Sequence, residues 1–185
     1  MNESFNGIRG GKSIITIACL SDSPVGIVWV AASERGLAAI EIGVNEDSLL
    51  ATLHHRGLEI TAPGSGQAID IANQALAQIR EYLAGERQDF DLPVNWSQLT
   101  PFQSLVLREV YAIPFGKVST YGEIARKLGK PGASRAVGRA NATNPIPLVI
   151  PCHRVIGQDG SLRGYGTGNG IETKAWLLRL EGFEV

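Results

Sequence analysis

One stretch of the sequence places a nucleophile directly beside a base. In the segment Ile150–Val155, Cys152 is followed by His153 and then by Arg154, within an otherwise apolar frame. The thiolate is the reactive form of cysteine, and little of a free thiol is ionised near pH 7, so a catalytic cysteine needs a base or a positive field beside it. His153 supplies the base and Arg154 supplies a positive electrostatic field. This arrangement predicts nucleophilic chemistry at Cys152.

A cysteine in an apolar run can also be ordinary core packing, because cysteine is among the most buried residue types. The residues that precede Cys152 favour the chemical interpretation. Pro145, Pro147 and Pro151 fall within seven positions and restrict both their own backbone and that of the residues before them. We expect an extended, non-helical approach that sets Cys152 at a rigid turn.

Several further motifs accompany this segment in an order typical of one known family. The string Pro151-Cys152-His153-Arg154-Val155 resembles the active-site signature of the O6-alkylguanine-DNA alkyltransferases, or methylated-DNA–protein-cysteine methyltransferases. The resemblance is strong over residues 95 to 182 and weaker upstream, where it depends on Ser33-Glu34-Arg35-Gly36-Leu37. The accompanying motifs are Tyr121-Gly122-Glu123-Ile124-Ala125, Ser134-Arg135-Ala136-Val137-Gly138, Asn144-Pro145, Trp176-Leu177-Leu178 and Glu181-Gly182.

The resemblance implies a direct repair reaction on DNA. Cys152 would accept the alkyl group of O6-alkylguanine, and possible substrates extend to O4-alkylthymine. His153 would act as the base through a water molecule, and Glu181 would orient and charge His153, in the manner of a Cys-His-acid triad. The thioether has no route back, so each molecule would react once. No cofactor and no metal are implied.

The resemblance also assigns roles to residues around the nucleophile. Asn144 would brace the turn that carries it, although an Asn-Pro turn needs no function. Tyr121 would donate a hydrogen bond to the departing guanine, and Arg135 would fill the space left by the extruded base, unless it is one more phosphate contact. The implied DNA-binding residues are Ser134, Arg135, Ala136, Gly138 and Tyr121, and the implied contacts to the base are Val155, Tyr165, Gly166 and Thr167, with the carbonyl of Cys152.

Two other classes of protein remain open at this point. A cysteine hydrolase could use Cys152 and His153, but adjacent residues on a turn seldom align base and sulfur, and no oxyanion-hole motif is evident. A non-catalytic module that binds alkylated DNA would not need Cys152. A mass measurement after exposure to O6-methylguanine DNA separates these classes from a transferase.

Composition and charge are those of a globular protein. The chain has 185 residues, of which 44% are hydrophobic and 19% charged, with a net charge of −1. The charge is uneven: residues 1–93 contain six basic and twelve acidic residues, and residues 94–185 contain eleven basic and six acidic ones. The second half, at +5, is therefore the expected partner of double-stranded DNA.

Cysteine and hydropathy patterns predict a reduced, cytoplasmic protein. Two cysteines cannot build a disulfide framework, and His54, His55 and His153 lack zinc-ligand spacing to them. The apolar run Ile14–Leu20 is too short to span a membrane. We expect a monomer without membrane association.

The first half of the chain predicts a small α/β scaffold over residues 13–93, after a loose arm at residues 1–12. Runs at Ile14–Leu20, Val25–Ala32 and Leu37–Ile42 predict an antiparallel meander, with Cys19 buried in its first strand. Helices are predicted from the Asn45 cap to His55 and over Gln67–Leu83. The resemblance implies a ribonuclease H-like fold for this unit.

The second half, residues 94–185, predicts a helical winged helix-turn-helix domain, so that the fold class is α/β (α+β). The Thr100 cap opens a helix toward Ile113, and a Thr120 and Glu123 capping box opens the next. The predicted segments that follow are a helix over 133–143, a hairpin wing over 155–162, a flexible substrate lip over 164–170 and a helix over 172–181.

Overall fold

A computed structural model describes residues 13–60 and 66–184 of the chain. The predicted N-terminal arm, residues 1–12, lies outside the described residues. The described part forms an N-terminal sheet with two helices and a C-terminal helical half.

The N-terminal half is built on a four-stranded sheet in the order β3-β2-β1-β4. Strands β1 (Ser13–Leu20), β2 (Val28–Ser33) and β3 (Gly36–Ile42) form an antiparallel meander, as predicted. Strand β4 (Leu58–Ile60) pairs in parallel with β1 and was not predicted. A three-residue strand is too short for an alternating pattern to be recognised.

Two helices cover the two faces of this sheet. Helix α1 (Glu46–His55) begins at Asn45, whose side chain accepts a hydrogen bond from the Ser48 amide at 2.9 Å, as the sequence predicts. It buries Leu49 and Leu53 against one face. Helix α2 (Gly66–Leu83) packs against the other face, and its last turn reaches the C-terminal half.

The prediction that Cys19 is buried is wrong, because its side chain is exposed. Cys19 shares one face of β1 with Ile15 and Ile17, and burial decreases along this face from Ile15, which is 0% exposed, through the half-buried Ile17. The apolar cluster under α1 includes Ile15 and Ile17 but ends before Cys19. Local pattern gives the face of a strand and does not say how far the opposing helix extends.

The C-terminal half contains four helices and a short parallel strand pair. Thr100 caps α3, which ends two residues before the expected Ile113, and Thr120 and Glu123 form the predicted capping box of α4. The turn between α4 and α5 gives the predicted helix-turn-helix. The elements are α3 (Pro101–Tyr111), β5 (Ser119–Thr120), α4 (Tyr121–Lys127), α5 (Ser134–Ala142), β6 (Val155–Ile156) and α6 (Ile171–Leu180).

The hairpin predicted over residues 155–162 is wrong in its pairing. Strand β6 pairs in parallel with β5, and residues 161 and 162 form no strand. The turn itself exists, since the Gly157 amide donates to the Ser161 carbonyl at 2.9 Å. Beyond the turn, the Asp159 carboxylate accepts from the Ser161 and Arg163 side chains, and no second strand follows along β6.

A single hydrophobic cluster joins the two halves. It runs from Val30 in the sheet and Ile79 in α2 to Val106 in α3 and Leu177 in α6, all of them fully buried. This shared core brings the end of α2 beside the turn that carries Cys152. Among residues 13–60 and 66–184, no helix is long and apolar enough to cross a membrane.

Candidate active site

The turn that carries Cys152 is held by the side chain of Asn144. Its amide nitrogen donates to the Ile150 carbonyl at 2.7 Å, and its oxygen accepts from the Ile146 amide at 3.1 Å. These bonds fold residues 145–150 into consecutive turns, so the approach to Cys152 is non-helical but is not extended as predicted. Leu148, at a φ of 70°, is the one non-glycine residue with positive φ in the described part of the chain.

Cys152 lies at the start of a short 3-10 turn, Cys152–Arg154, and is almost fully buried. Its carbonyl accepts a hydrogen bond from the Asn141 side chain at 3.2 Å. Burial raises the pKa of the Cys152 thiol, and the nearby Asn144 side chain and Lys174 ammonium oppose that shift. The resting thiol is therefore neutral and needs a base to become a nucleophile.

His153 is positioned to be that base. Its Nε2 lies 2.8 Å from Glu181 Oε1, and its side chain is completely buried. Burial lowers the pKa of His153, which keeps the ring neutral near pH 7. Because an ionised carboxylate only accepts, Nε2 must carry the ring proton. Nδ1 is then the basic atom, and it has no hydrogen-bond partner in the described structure.

Glu181 connects His153 to both halves of the chain. Its Oε1 accepts from the Tyr82 hydroxyl at 2.6 Å, and its two oxygens accept from Arg154 Nε and Nη2 at 2.9 to 3.1 Å. Burial alone would raise the pKa of Glu181, but hydrogen bonds from His153, Arg154 and Tyr82 outweigh it and hold the pKa at about 2. The carboxylate is thus charged throughout the physiological range.

A glycine allows Glu181 to be approached closely. The Gly116 amide donates to Glu181 Oε2 at 3.1 Å, and Gly116 has a φ of 68°. A Cβ at this position would lie 2.9 Å from the Glu181 carbonyl oxygen. Only glycine satisfies both the left-handed backbone and the short approach.

Lys174 is a second buried cation near the thiol. Its side chain donates to the Val155 carbonyl at 2.6 Å and to the Arg163 carbonyl at 3.0 Å. Burial lowers the pKa of Lys174 to about 8, and the proximity of Cys152 acts in the opposite direction. The ammonium favours a thiolate on Cys152 when one forms.

The two tyrosines implied by the sequence both lie close to Cys152. Burial, followed by the nearby Cys152, raises the pKa values of Tyr121 and Tyr165. The Tyr121 hydroxyl donates to the Arg163 carbonyl at 3.1 Å, whereas the buried Tyr165 hydroxyl has no hydrogen-bond partner among the described residues. Gly138 in α5 lies against the Tyr121 ring, with an added Cβ at 3.7 Å from it.

The remaining predicted residues form the outer surface of this region. Arg135 and Ala136 are exposed on α5, and Ser134 is half-buried at its start. In the lip, Gly166 is exposed and Thr167 is half-buried, and Gly168 donates to the Ile42 carbonyl at 3.2 Å. Arg135 therefore lies on the surface of the helix-turn-helix, apart from the buried network.

Sequence reasoning missed four residues of the network, namely Tyr82, Gly116, Lys174 and Asn141, and gave Arg154 only a general positive field. Tyr82 is separated from Glu181 by 99 residues, so no local spacing relates them. The sequence offered one signal for each of two of these residues. Tyr82 places a hydroxyl on the apolar face of α2, and Lys174 places an ammonium within α6. Among the described residues, no group of three or more His, Cys, Asp and Glu side chains could hold a metal ion.

Two family models together match most of the chain. Residues 17–96 match the model of the 6-O-methylguanine DNA methyltransferase ribonuclease-like domain. Residues 101–183 match that of the 6-O-methylguanine DNA methyltransferase DNA binding domain.

Individual relatives align over nearly their whole length. The methylated-DNA–protein-cysteine methyltransferase of Salmonella typhimurium is 41% identical over 167 residues, which are 87% of this chain and 92% of that protein. The protein of the same name from Methanosarcina acetivorans is 38% identical over 162 residues, covering 87% and 95%. The crystal structure of Mycobacterium tuberculosis OGT in complex with DNA has a TM-score of 0.70 at 34% identity, covering 89% of this chain and 91% of that one. The predicted fold class is confirmed.

Proposed function

Since the chain belongs to the methylated-DNA–protein-cysteine methyltransferase family, we propose that it repairs DNA by moving the alkyl group of O6-alkylguanine onto the sulfur of Cys152. The observation that carries the assignment to these residues is the contact of His153 Nε2 with Glu181 Oε1 at 2.8 Å, which leaves Nδ1 of the adjacent ring free to act as a base.

The first step is removal of the thiol proton. His153 Nδ1 takes this proton through one water molecule, because no direct bond joins it to the sulfur. Glu181 stabilises the imidazolium that forms, and Lys174 and Asn144 stabilise the thiolate. Because its pKa is raised, the buried thiol remains unreactive until its proton has moved to His153 and a substrate is bound.

The second step is displacement at the alkyl carbon. The thiolate attacks that carbon, a carbon–sulfur bond forms, and the bond from carbon to O6 breaks with its electron pair on guanine. Tyr121 donates a hydrogen bond to the ring of the leaving guanine. The sulfur becomes a thioether that nothing in the site can cleave, so one molecule repairs one lesion.

The leaving base is held mainly by backbone groups. The carbonyls of Cys152 and Val155 accept from the exocyclic amine, and the loop of Tyr165, Gly166 and Thr167 holds O6. The Val155 carbonyl already accepts from Lys174 and keeps a second lone pair for the base. The Cys152 carbonyl already accepts from both the Asn141 side chain and the Val155 amide, so the base must share or displace one of these donors. Tyr121 must exchange its bond to the Arg163 carbonyl for one to guanine.

DNA is the macromolecular partner, as it is for the M. tuberculosis protein of similar fold. We propose that the partner is double-stranded and carries O6-alkylguanine, that α5 enters a groove through its small residues Ala136 and Gly138, and that Arg135 fills the space of the extruded base. Ser134 lies beside this surface. Exposure of Arg135 and the +5 charge of residues 94–185 support this arrangement.

The proposal includes the organisation of the chain. Residues 13–93 form a scaffold, residues 94–185 bind DNA and carry out the transfer, and the protein acts as a monomer. The cytoplasm suits it because a reducing compartment keeps a thiol nucleophile free.

Mass spectrometry tests the function directly. After incubation with duplex DNA containing O6-methylguanine, we expect one methyl group on the peptide that contains Cys152, in a stoichiometric burst without turnover. Cys19 is an internal control, since it is a free and exposed thiol without a neighbouring base.

Two variants complete that experiment. Cys152→Ala should acquire no methyl group, and Cys19→Ala should react like the parent protein. Binding of the lesion without methylation would indicate a non-catalytic module, and repeated turnover or ester cleavage would indicate a different enzyme.

A further inference from the structure

Tyr82 joins the N-terminal half of the chain to the reactive centre. It lies in the last turn of α2, is fully buried, and has its hydroxyl 2.6 Å from Glu181 Oε1 and 3.2 Å from His153 Nε2. No other residue N-terminal to Pro101 in the described structure makes a side-chain hydrogen bond to either group.

The directions of these hydrogen bonds follow from the charge of Glu181. Because the carboxylate has a pKa of about 2, it accepts both the Tyr82 hydroxyl hydrogen and the Nε2 hydrogen of His153. Burial raises the pKa of Tyr82 well above its usual value, with Glu181 acting in the same direction, so the phenol keeps its hydrogen. Tyr82 and His153 therefore share one acceptor oxygen, Oε1, which also accepts from Arg154.

The position of the Tyr82 hydroxyl is set by packing that is independent of the hydrogen bonds. Its ring contacts Phe90 at a centroid distance of 5.2 Å and Phe115, edge to face, at 6.3 Å. The Arg154 guanidinium, which binds both oxygens of Glu181, also lies over Phe115 at 5.9 Å from the ring centroid. A rigid aromatic cluster thus holds the hydroxyl against the carboxylate.

We propose that Tyr82 is a positioning residue for alkyl transfer: by sharing Glu181 Oε1 with His153, it fixes the orientation of the carboxylate and of the ring that presents Nδ1 as the base. This rests on the function proposed above and extends it, because it makes activation of the thiol depend on the N-terminal scaffold. Tyr82 acts through Glu181 and touches neither the substrate nor the sulfur.

The environment of His153 determines how removal of the hydroxyl would change its titration. In Tyr82→Phe, the aromatic packing remains while Oε1 loses one donor, so more of the carboxylate charge acts on the Nε2 hydrogen and the imidazolium is favoured. The titratable groups around His153 are Tyr82 from α2, Glu181 and Lys174 from the C-terminal segment, Tyr165 from the lip, and Cys152 and Arg154 from its own turn.

The decisive comparison uses the full-length protein with Tyr82→Phe and a matched Tyr111→Phe control. Tyr111 is 40% exposed and lies on α3, outside the reactive network. For Tyr82→Phe we expect transfer to Cys152 to be about tenfold slower, and the acid limb of the pH–rate profile to move up by about half a pH unit. Tyr111→Phe should match the parent protein in both.

Three further readouts separate positioning from a loss of folding or of DNA binding. The rate with free O6-benzylguanine should fall by the same factor as the rate with duplex DNA. Nitrogen NMR of His153 should show the Nε2-protonated tautomer of the neutral ring in both proteins, with the ring titrating at higher pH in Tyr82→Phe. The double variant Tyr82→Phe/Glu181→Gln should be no slower than Glu181→Gln alone.

An unchanged pH–rate profile and an unchanged His153 titration in Tyr82→Phe would overturn the inference, as would additive losses in the double variant. Those results would leave the proposed function intact if the parent protein still methylates Cys152. A parent protein that transfers no methyl group would instead refute the proposed function.

Discussion

At the scale of single residues, the proposed nucleophile and the proposed base are adjacent, and both are buried. Cys152 is neutral at rest because burial raises its pKa, and His153 is neutral because burial lowers its pKa. Neither shift alone produces a thiolate. In the proposed mechanism, the charge on Glu181 stabilises the imidazolium that forms when the proton moves to His153. Several donors hold the carboxylate in position for this.

Asn144 gives a prediction at this scale. Asn144→Ala removes two hydrogen bonds to Ile146 and Ile150. It leaves the Ile146 amide without the acceptor that Asn144 supplies, whereas the Ile150 carbonyl keeps the Cys152 amide as a donor. We expect the free energy of unfolding to fall by roughly 1–3 kcal/mol and transfer to slow because Cys152 shifts. Urea denaturation and single-turnover kinetics measure the two effects.

The control for that variant is Asn73→Ala, at an exposed position of α2. It should change neither the stability nor the rate appreciably. If Asn144→Ala lowers stability but leaves the rate unaltered, Asn144 stabilises the fold without positioning the sulfur.

At the scale of secondary-structure elements, α4 and α5 assemble a surface from small and capped residues. The capping box of Thr120 and Glu123 sets where α4 begins, and therefore places Tyr121 at its first position. Gly138 in α5 leaves room for the Tyr121 ring. Small residues of α5 thus serve two purposes, packing against Tyr121 on one side and exposing Ala136 on the other.

The second prediction concerns Arg135 on α5. Arg135→Ala should slow repair of O6-methylguanine in duplex DNA by at least about tenfold, because extrusion of the base costs a few kcal/mol that an inserted side chain offsets. Its reaction with free O6-benzylguanine should be almost unaffected, because that substrate has no base stack. Single-turnover kinetics on the two substrates make the comparison.

Arg139→Ala is the matched variant, because it removes the same charge one helical turn later from another exposed residue of α5. If both arginines only contact phosphates, loss of either one would weaken DNA binding and reduce its salt dependence to a similar degree. Similar losses in both variants, or equal losses on both substrates for Arg135→Ala, would argue against the extrusion role.

At the scale of the whole molecule, the buried network couples stability to pH. Glu181 has a pKa of about 2 in the folded chain, below the ordinary value of an unfolded glutamate. A depressed carboxyl pKa stabilises the folded state above about pH 4.5, and this contribution is lost as the pH falls toward 2. The full shift corresponds to roughly 3 kcal/mol.

Chemical denaturation at several values of pH between 7 and 2.5 tests this prediction. The free energy of unfolding of the parent protein should fall steeply over the acid range. Glu181→Gln should start lower, since Arg154 loses its counter-ion, and should then depend less on pH. Parallel curves for the two proteins would show that Glu181 is not the group responsible.

Local pattern was sufficient for much of the fold. The Asn45 and Thr120 caps, the helical period of α2 and the apolar runs of the meander are set by neighbours within a few positions, so the sequence predicts them directly. Local pattern did not predict β4, the pairing partner of β6 or the exposure of Cys19. Each of these depends on which element distant in sequence packs against that segment.

The same division holds for the reactive centre. The sequence by itself determined that Cys152 and His153 are adjacent, that prolines and Asn144 precede them, and, through its resemblance to one family, that Glu181 belongs with them. Only the tertiary structure decided that Tyr82, Arg154 and Gly116 bind the same carboxylate and that Lys174 lies near the sulfur. Covalent neighbours are specified by the chain order, whereas hydrogen bonds across 99 residues exist only once a common core has brought α2 and α6 together.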